Sequence, residues 1–266
     1  MKQTNNDSFE KILLLLGGFA VTFNIAIAFH ELGHTIAYLI DGGQVSEFVL
    51  NPFSWSWAEA QNLNNRIFAL WGGVTFGQIL AIIPLVFILK IKSAIYKFLA
   101  KLLAACAFLI NGLYLSAGAI MNFGDGGTLV YLGVSSSLII IIGLIYLLIS
   151  FAFWSDLQRH IGMNRQTVLK NRIKIVTGSI TPYMIIIIIY NLLHNSTQII
   201  MWGGLAVFGI LSAFLIAFLG DLWNRHVIKN NQSKVVSLSY SRKLLTVGLL
   251  IILAEFIVFG TPPNPF

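Results

Sequence analysis

Charged residues are scarce in this chain, and cysteine is almost absent. Of its 266 residues, 10% are charged and 57% are hydrophobic, whereas average soluble domains carry about 25% charged residues. So few charges cannot cover the surface of a water-soluble globule, which excludes a cytosolic enzyme and a disulfide-stapled secreted domain. The single cysteine, Cys106, excludes an internal disulfide and a cysteine-based metal cage. The composition indicates an integral membrane protein instead.

The chain also lacks an internal repeat, a low-complexity tract and a Gly/Ser-rich linker. We therefore predict one integral membrane domain over residues 1–266. A membrane helix needs roughly 20 apolar residues, and helices satisfy their own backbone hydrogen bonds in lipid. The apolar runs predict an all-α polytopic membrane protein with about seven transmembrane helices, at 12–40, 67–89, 102–120, 129–153, 175–193, 199–220 and 244–260.

The basic residues are distributed unevenly between the two sides that seven spans would define. Of the 17 Lys and Arg residues, Arg66 alone lies on the side opposite the N-terminus. The positive-inside rule then predicts a multi-pass protein of the cell membrane with a cytoplasmic N-terminus and an external C-terminus. The net charge of +7 is read as a topology signal that favours contact with the lipid bilayer, and nucleic-acid binding is not expected.

One short motif carries chemistry: His30-Glu31-Leu32-Gly33-His34, an H-E-x-x-H sequence at the end of the first span. Residues i and i+4 of a helix share a face, so the two imidazoles can ligate one Zn²⁺ while Glu31 acts as general base. Ionisable groups this close to hydrocarbon are usually functional. His30 lies roughly 28 Å along a helix from Lys11, against a hydrocarbon core of about 30 Å, which predicts a site near the outer face.

A catalytic zinc usually has a third protein ligand. Asp125 is the preferred candidate because the glycines around it, in the sequence NFGDGGT over 122–128, allow the backbone to turn inward. His194 and Glu255 lie on or near the same predicted side. His194 could be an interfacial histidine or a further ligand, and it could also hydrogen-bond to a ligand. Glu255, in the outer half of the seventh predicted span, could hydrogen-bond to a ligand or reach the interface.

These residues resemble the site-2 protease family of intramembrane zinc metalloproteases, particularly its compact branch. That family pairs HExxH on one membrane helix with an Asp-Gly element on a later one, and the resemblance covers roughly residues 20–135. It implies that His30, His34 and Asp125 ligate zinc and that Glu31 is the catalytic base. Of the family's longer motif around the aspartate, only Asn122 precedes Asp125 here, as a possible support for it.

The motif and the resemblance together predict a zinc-dependent endopeptidase that cleaves a peptide bond within or next to a transmembrane segment. The predicted catalytic core is 12–153, followed by accessory helices over 175–260, and the partner is a membrane-protein or peptide substrate. Two alternatives stay open: a multi-span transporter that uses the His/Asp/Glu cluster for a metal ion or protons, and a non-catalytic relative that binds membrane proteins. The sequence predicts no oligomeric state.

Other residues are candidates for holding the substrate. The run after the first span predicts an interfacial β-hairpin, with strands over 44–50 and 53–57 joined at Asn51-Pro52. Val49, Phe53 and Trp55 could bind an extended substrate by strand addition, or anchor the loop at the interface. Gln78 and Asn111 are polar within predicted spans and could donate to the scissile carbonyl, or join helices by hydrogen bonds.

Overall fold

The computed structural model describes residues 2–53, 56–88, 90, 92–164, 166–194, 211–222 and 235–259. This part of the chain is mostly helical and includes a two-stranded antiparallel sheet. In chain order its elements are α1 (Lys2–Ile40), β1 (Gln44–Val49), β2 (Trp57–Gln61), α2 (Arg66–Gly72), a π-helical turn (Gly73–Gly77), α3 (Gln78–Ile88), α4 (Ala94–Met121), α5 (Gly124–Tyr131), α6 (Ser136–His160), α7 (Leu169–His194), α8 (Leu211–Leu222), a 3₁₀ turn (Leu238–Tyr240) and α9 (Ser241–Phe259).

Five helical segments are long and apolar enough to cross a membrane, which is consistent with a membrane protein. Each overlaps one of the first five predicted spans: Asp7–Ile40, Arg66–Phe87, Ala94–Met121, Ser136–His160 and Leu169–Asn191. The sixth predicted span, 199–220, lies partly outside the described residues. The seventh corresponds to α9, which carries Arg242, Lys243 and Glu255 and is not among the five.

The fourth predicted span starts too early. The apolar pattern places it from 129, whereas α6 begins at Ser136 and the preceding residues form the separate helix α5. Gly133, with φ of 90°, lies between the two helices, in a conformation that glycine adopts without steric cost. This break separates the Asp-Gly element from α6, which follows it.

The chain divides into two compact units. The first unit comprises Thr22–Leu50 and Ser56–Phe153, and the second comprises Met1–Val21, Asn51–Trp55 and Trp154–Phe266. All of the first unit falls within the predicted core of 12–153. It contains the H-E-x-x-H motif, the hairpin and Asp125.

Close backbone contacts hold α5 against α4 in the first unit. A Cβ atom on Gly126 would lie 2.3 Å from the carbonyl oxygen of Leu115, and one on Gly118 would lie 2.6 Å from that of Phe123. Small residues allow this approach, as is common where membrane helices pack. Leu129 of α5 and Leu115 of α4 are fully buried in the same apolar cluster.

The β-hairpin forms, but its second strand lies later than the sequence predicts. β1 pairs antiparallel with β2 in a register that places Phe48 opposite Ala58 and Val49 opposite Trp57. The predicted strand over 53–57 was inferred from alternating aromatic and small residues. Among the described residues of that run, which leave out 54 and 55, Trp57 alone belongs to β2.

Hydrogen bonds within the second unit explain this difference. The amide of Phe53 donates to Asn51 Oδ1 over 3.0 Å, which makes a side-chain turn. Tyr183 Oη on α7 donates to the carbonyl oxygen of Pro52 over 2.7 Å, and Asn191 Nδ2 donates to that of Phe53 over 2.6 Å. These backbone carbonyls therefore pair with α7 side chains, and proline has no amide hydrogen for a strand ladder.

The second unit has a packed interior of its own. Phe19 on the first half of α1 packs against Trp154 and Tyr183, with ring centroids 6.2 and 5.5 Å away. The fully buried Arg172 donates from Nη1 to Gln158 Oε1 over 2.9 Å, and its Nε lies 3.2 Å from Asp221 Oδ1. A buried charge of this kind is tolerated because it is paired and hydrogen-bonded.

Candidate metal centre

The motif residues lie on one continuous helix and are buried. α1 extends without a break through His30, Glu31 and His34, as the sequence predicts. The three side chains are at most 4% exposed. Asp125 lies in the first turn of α5, and a turn at the end of α4 brings it inward.

Two residues make that turn. Asn122 ends α4 in the left-handed conformation, with φ of 58°, and Gly124 follows with φ of 55°. Gly127 packs against the Asn122 backbone, where a Cβ atom would lie 2.5 Å from a carbonyl carbon. Asn122, predicted as a possible support for Asp125, therefore acts through the backbone turn.

Two imidazole nitrogens and one carboxylate oxygen converge at the site. His30 Nε2 lies 3.0 Å from Asp125 Oδ2, His34 Nε2 lies 3.3 Å from the same oxygen, and the two nitrogens are 3.2 Å apart. A tetrahedral zinc with bonds of about 2.0–2.1 Å separates its ligand atoms by about 3.3 Å. The three residues are thus spaced as ligands of one metal ion, and they form a group that could hold one.

The outer nitrogen of each imidazole shows why a cation suits this centre. His34 Nδ1 lies 3.1 Å from the carbonyl oxygen of Ala69, which can only accept, so Nδ1 carries the proton. His30 Nδ1 lies 2.7 Å from Asn111 Oδ1, so it donates in the same way. In the neutral imidazoles, both Nε2 atoms then direct lone pairs at the carboxylate. A positive ion among them would relieve the repulsion, and such hydrogen bonds commonly orient metal-binding histidines.

The charge of Asp125 depends on the two histidines. Burial raises the pKa of its carboxyl, but the imidazoles of His34 and His30 in their protonated form outweigh that effect and hold the pKa below its usual range. A carboxylate that neighbouring positive charge keeps ionised is suited to coordinate a metal ion.

Glycines in the second predicted span leave room for the ligands. A Cβ atom on Gly73 would lie 2.4 Å from His34 Nε2, and one on Gly77 would lie 2.8 Å from the Cα of His30. On α1, a Cβ atom on Gly33 would lie 2.5 Å from the carbonyl oxygen of Gly72. The π-helical turn therefore packs its bare backbone against the motif, and any side chain at Gly73 would occupy space at the ligand atoms. Single π-turns within α-helices are frequent at functional sites.

The hairpin holds Glu31. Its carboxylate accepts a hydrogen bond from the amide of Ala58 in β2. The carbonyl oxygen of Ala58 accepts a 2.9 Å hydrogen bond from Tyr38 Oη, which comes one helical turn after His34 on α1. The backbone N–H and C=O groups of one hairpin residue, Ala58, are thus both bonded to the motif helix. This arrangement gives the general base predicted from the sequence a defined position.

Two tyrosine rings next to the histidines were not foreseen. Tyr114 of α4 packs edge-on against His30, with centroids 5.0 Å apart, and Tyr38 stacks on His34 at 6.0 Å. The i,i+4 spacing of His34 and Tyr38 on α1 could have indicated the second contact. The sequence contained no comparable signal for Tyr114, because its contact joins two helices.

Asn111 and Gln78 are both buried in the first unit, and they bond to each other. Asn111 Nδ2 donates to Gln78 Oε1 over 2.8 Å, while Asn111 Oδ1 faces His30 Nδ1. The two residues were expected to donate to a scissile carbonyl or to join helices. The geometry favours a role in joining helices by hydrogen bonds. In addition, the chain of hydrogen bonds from Gln78 through Asn111 ends at His30, a candidate metal ligand.

The remaining predicted site residues are not among those described at the cluster. Val49 ends β1, and Phe53 packs in the second unit against Tyr190 and Phe256. Glu255 lies on α9 in the second unit. Trp55 and the side chain of His194 lie outside the described part of the chain.

Comparison with known proteins identifies no relative. No protein-family model matches the chain, and no match was found among curated proteins or among solved structures.

Proposed function

We propose that this protein is a zinc-dependent endopeptidase that cleaves a peptide bond within or next to a transmembrane segment of its substrate. The proposal includes the resemblance to site-2 proteases, seven membrane spans, a cytoplasmic N-terminus and an active site towards the outer face of the cell membrane. The contacts that support the proposal all lie within the first unit and involve the residues of the H-E-x-x-H motif.

One observation carries the proposal. Three lone-pair atoms of His30, His34 and Asp125 lie within 3.3 Å of one another, and the carboxylate that follows His30 in the chain is held in place by the hairpin. A site made only for metal storage would have no use for Glu31, whereas a hydrolase needs a base beside its metal. The donor set of two imidazoles and one carboxylate suits zinc.

His30, His34 and Asp125 would hold the ion. When bound, zinc supplies a Lewis acid that makes water a nucleophile at neutral pH and polarises a carbonyl group. Glu31 takes a proton from the attacking water as the water oxygen bonds to the carbonyl carbon. It then returns the proton to the amide nitrogen as the C–N bond breaks, so that one carboxylic acid and one amine leave. The low exposure of the motif residues limits the access of bulk water.

The hairpin restricts how a substrate could lie. A helical peptide bond is shielded by its own hydrogen bonds, so the substrate must be extended for attack. At Ala58 the outward edge of β2 is already bonded to Glu31 and Tyr38. Strand addition would therefore use the opposite edge of the hairpin, along β1.

The decisive experiment combines metal analysis with cleavage. The chain is purified in detergent and its zinc content measured by mass spectrometry. A panel of labelled single-span peptides then serves as substrate for the wild-type chain, for Glu31→Gln and for Glu59→Gln, which changes an exposed acid on β2. Glu31→Gln should retain zinc and lose cleavage, while Glu59→Gln should retain both.

Two results would reject the proposal. Wild-type protein without bound zinc would remove the metal on which the chemistry depends. Metal transport or binding of membrane proteins that persists unchanged in Glu31→Gln, with no peptide cleaved by the wild type, would favour the transporter or the non-catalytic relative.

A further inference from the structure

We propose that Asn111 and Gln78 form a positioning relay that sets which nitrogen of His30 carries the proton, and thereby keeps Nε2 free to bind the metal ion. The inference rests on the metal centre of the proposed function. Neither residue would touch the substrate or the metal, so both act through His30.

The relay joins three helices. Gln78 begins α3 directly after the π-helical turn, Asn111 lies on α4, and His30 lies on α1. Asn111 Nδ2 donates to Gln78 Oε1 over 2.8 Å, and His30 Nδ1 donates to Asn111 Oδ1 over 2.7 Å. Asn111 is 2% exposed and Gln78 is 5% exposed, so bulk water cannot replace either bond without a cost in stability.

The two metal-binding histidines are oriented by different means. His34 Nδ1 faces a backbone carbonyl, that of Ala69, which offers no donor and so permits one tautomer. His30 Nδ1 faces a side-chain amide, which has an oxygen on one side and an NH₂ group on the other. If the Asn111 amide turned over, its NH₂ group would face His30 Nδ1. The ring proton would then sit on Nε2, where the ion has to bind.

In the observed arrangement Gln78 Oε1 accepts from the NH₂ group of Asn111, which leaves the Asn111 oxygen directed at His30. Gln78 Nε2 is buried and has no hydrogen-bond partner among the described residues. Of the two polar atoms of the Gln78 side-chain amide, the oxygen alone makes a hydrogen bond among the described residues. What the site requires at this position is an acceptor that keeps the Asn111 oxygen directed at His30.

The test measures zinc affinity by competition with a chromogenic chelator in four variants of the purified full chain. Asn111→Leu removes the acceptor for His30, and Gln78→Met removes the acceptor for Asn111. Asn111→Asp supplies a carboxylate, which accepts from His30 Nδ1 with either oxygen and so cannot present a donor. The fourth variant combines Asn111→Asp with Gln78→Met.

The relay predicts a specific pattern of affinities. Asn111→Leu and Gln78→Met should each weaken zinc binding by about 10- to 100-fold, the usual effect of losing a partner of a metal-binding histidine. Asn111→Asp should keep zinc within a few-fold of wild type. In that background Gln78→Met should have little further effect, because the tautomer no longer depends on it. Helicity and thermal unfolding verify that each variant is folded.

Two results would overturn the relay while leaving the metal centre intact. One is that Gln78→Met weakens zinc equally in both backgrounds, since a packing defect would act that way. The other is that Asn111→Leu binds zinc as tightly as wild type. A wild-type chain that binds no zinc would instead contradict the metal centre, and with it the proposed function.

Discussion

A Cβ atom on Gly73 would lie 2.4 Å from Nε2 of His34. Real atoms do not approach so closely, so a side chain at position 73 and the observed position of His34 exclude each other. The second predicted span therefore contributes space to the metal centre, because glycine at position 73 has no side chain. A glycine with this role has no polar group by which sequence reading could recognise it.

Gly73→Ala should accordingly weaken zinc binding by about 10-fold or more, because the added methyl group displaces a ligand nitrogen. Zinc affinity from chelator competition is the measurement. Thr75→Ala, an exposed position on the same π-helical turn, is the matched control and should bind zinc normally. Unchanged affinity in Gly73→Ala would show that the turn does not border the metal.

Removing the metal should destabilise the protein. Without the metal ion, His30, His34 and Asp125 lose the common partner that would hold their ligand atoms together. A ligand that binds the folded state alone stabilises it by about 2.7 kcal/mol at a free concentration of 100 times its dissociation constant. Chelation should thus lower the midpoint of thermal unfolding, and added Zn²⁺ should restore it.

Asp125→Asn tests whether that shift arises at this cluster. The variant lacks the carboxylate charge, so Zn²⁺ should no longer raise the unfolding midpoint. Asp41→Asn, a change at the end of α1 outside the cluster, is the control and should keep the zinc-dependent shift. Equal zinc shifts in Asp125→Asn and wild type would place the metal elsewhere.

Tyr38→Phe should reduce the cleavage rate more than zinc binding. Its hydroxyl donates to the carbonyl oxygen of Ala58, whose amide donates to Glu31. Losing the hydroxyl leaves a buried carbonyl without this donor, at a cost of about 1–3 kcal/mol, and loosens the residue whose amide holds the base. The measurements are kcat and zinc content, with Tyr131→Phe, 88% exposed, as control. A parallel loss of zinc would assign Tyr38 to the metal site itself.

Val49→Pro should impair cleavage of a membrane substrate without releasing zinc. Val49 ends β1 opposite Trp57, and proline there removes an amide and disturbs the strand along which a substrate would add. The bond that holds Glu31 comes from β2 and should persist. Cleavage of labelled single-span peptides and zinc content are compared with Val49→Ala. Equal cleavage by the proline and alanine variants would reject strand addition.

The membrane character and the motif could be predicted because both depend on local sequence. Apolar runs long enough to cross a bilayer identify helices by length alone, and five of them appear as such. The spacing of His30 and His34 places them on one helical face whatever the rest of the chain does. The glycines around Asp125 indicated a turn that could direct it inward, and the turn is present with Asn122 and Gly124 in left-handed conformations.

The second strand of the hairpin could not be located in this way. Alternation of aromatic and small residues over 53–57 is the pattern of a strand. The start of this segment is instead held by side chains of α7, so it does not form the strand pairing that the pattern predicts. These α7 side chains donate to the carbonyls of Pro52 and Phe53. A short pattern of period 2 is easily outweighed by such tertiary hydrogen bonds.

The sequence by itself determined the helices that are long and apolar enough to cross a membrane. It also determined that two histidines share one helical face, with a glutamate next to the first of them. The tertiary structure alone decided that Asp125 meets those histidines, that Ala58 holds Glu31, and that Asn111 faces His30 rather than a substrate. The physical reason is the separation of the interacting residues along the chain. Helix periodicity and hydropathy depend on neighbouring residues only. The ligand triangle instead depends on two helices that are distant in the chain, α1 and α5, which bring their ligand atoms to within 3.3 Å. Bare glycine backbone permits such close packing.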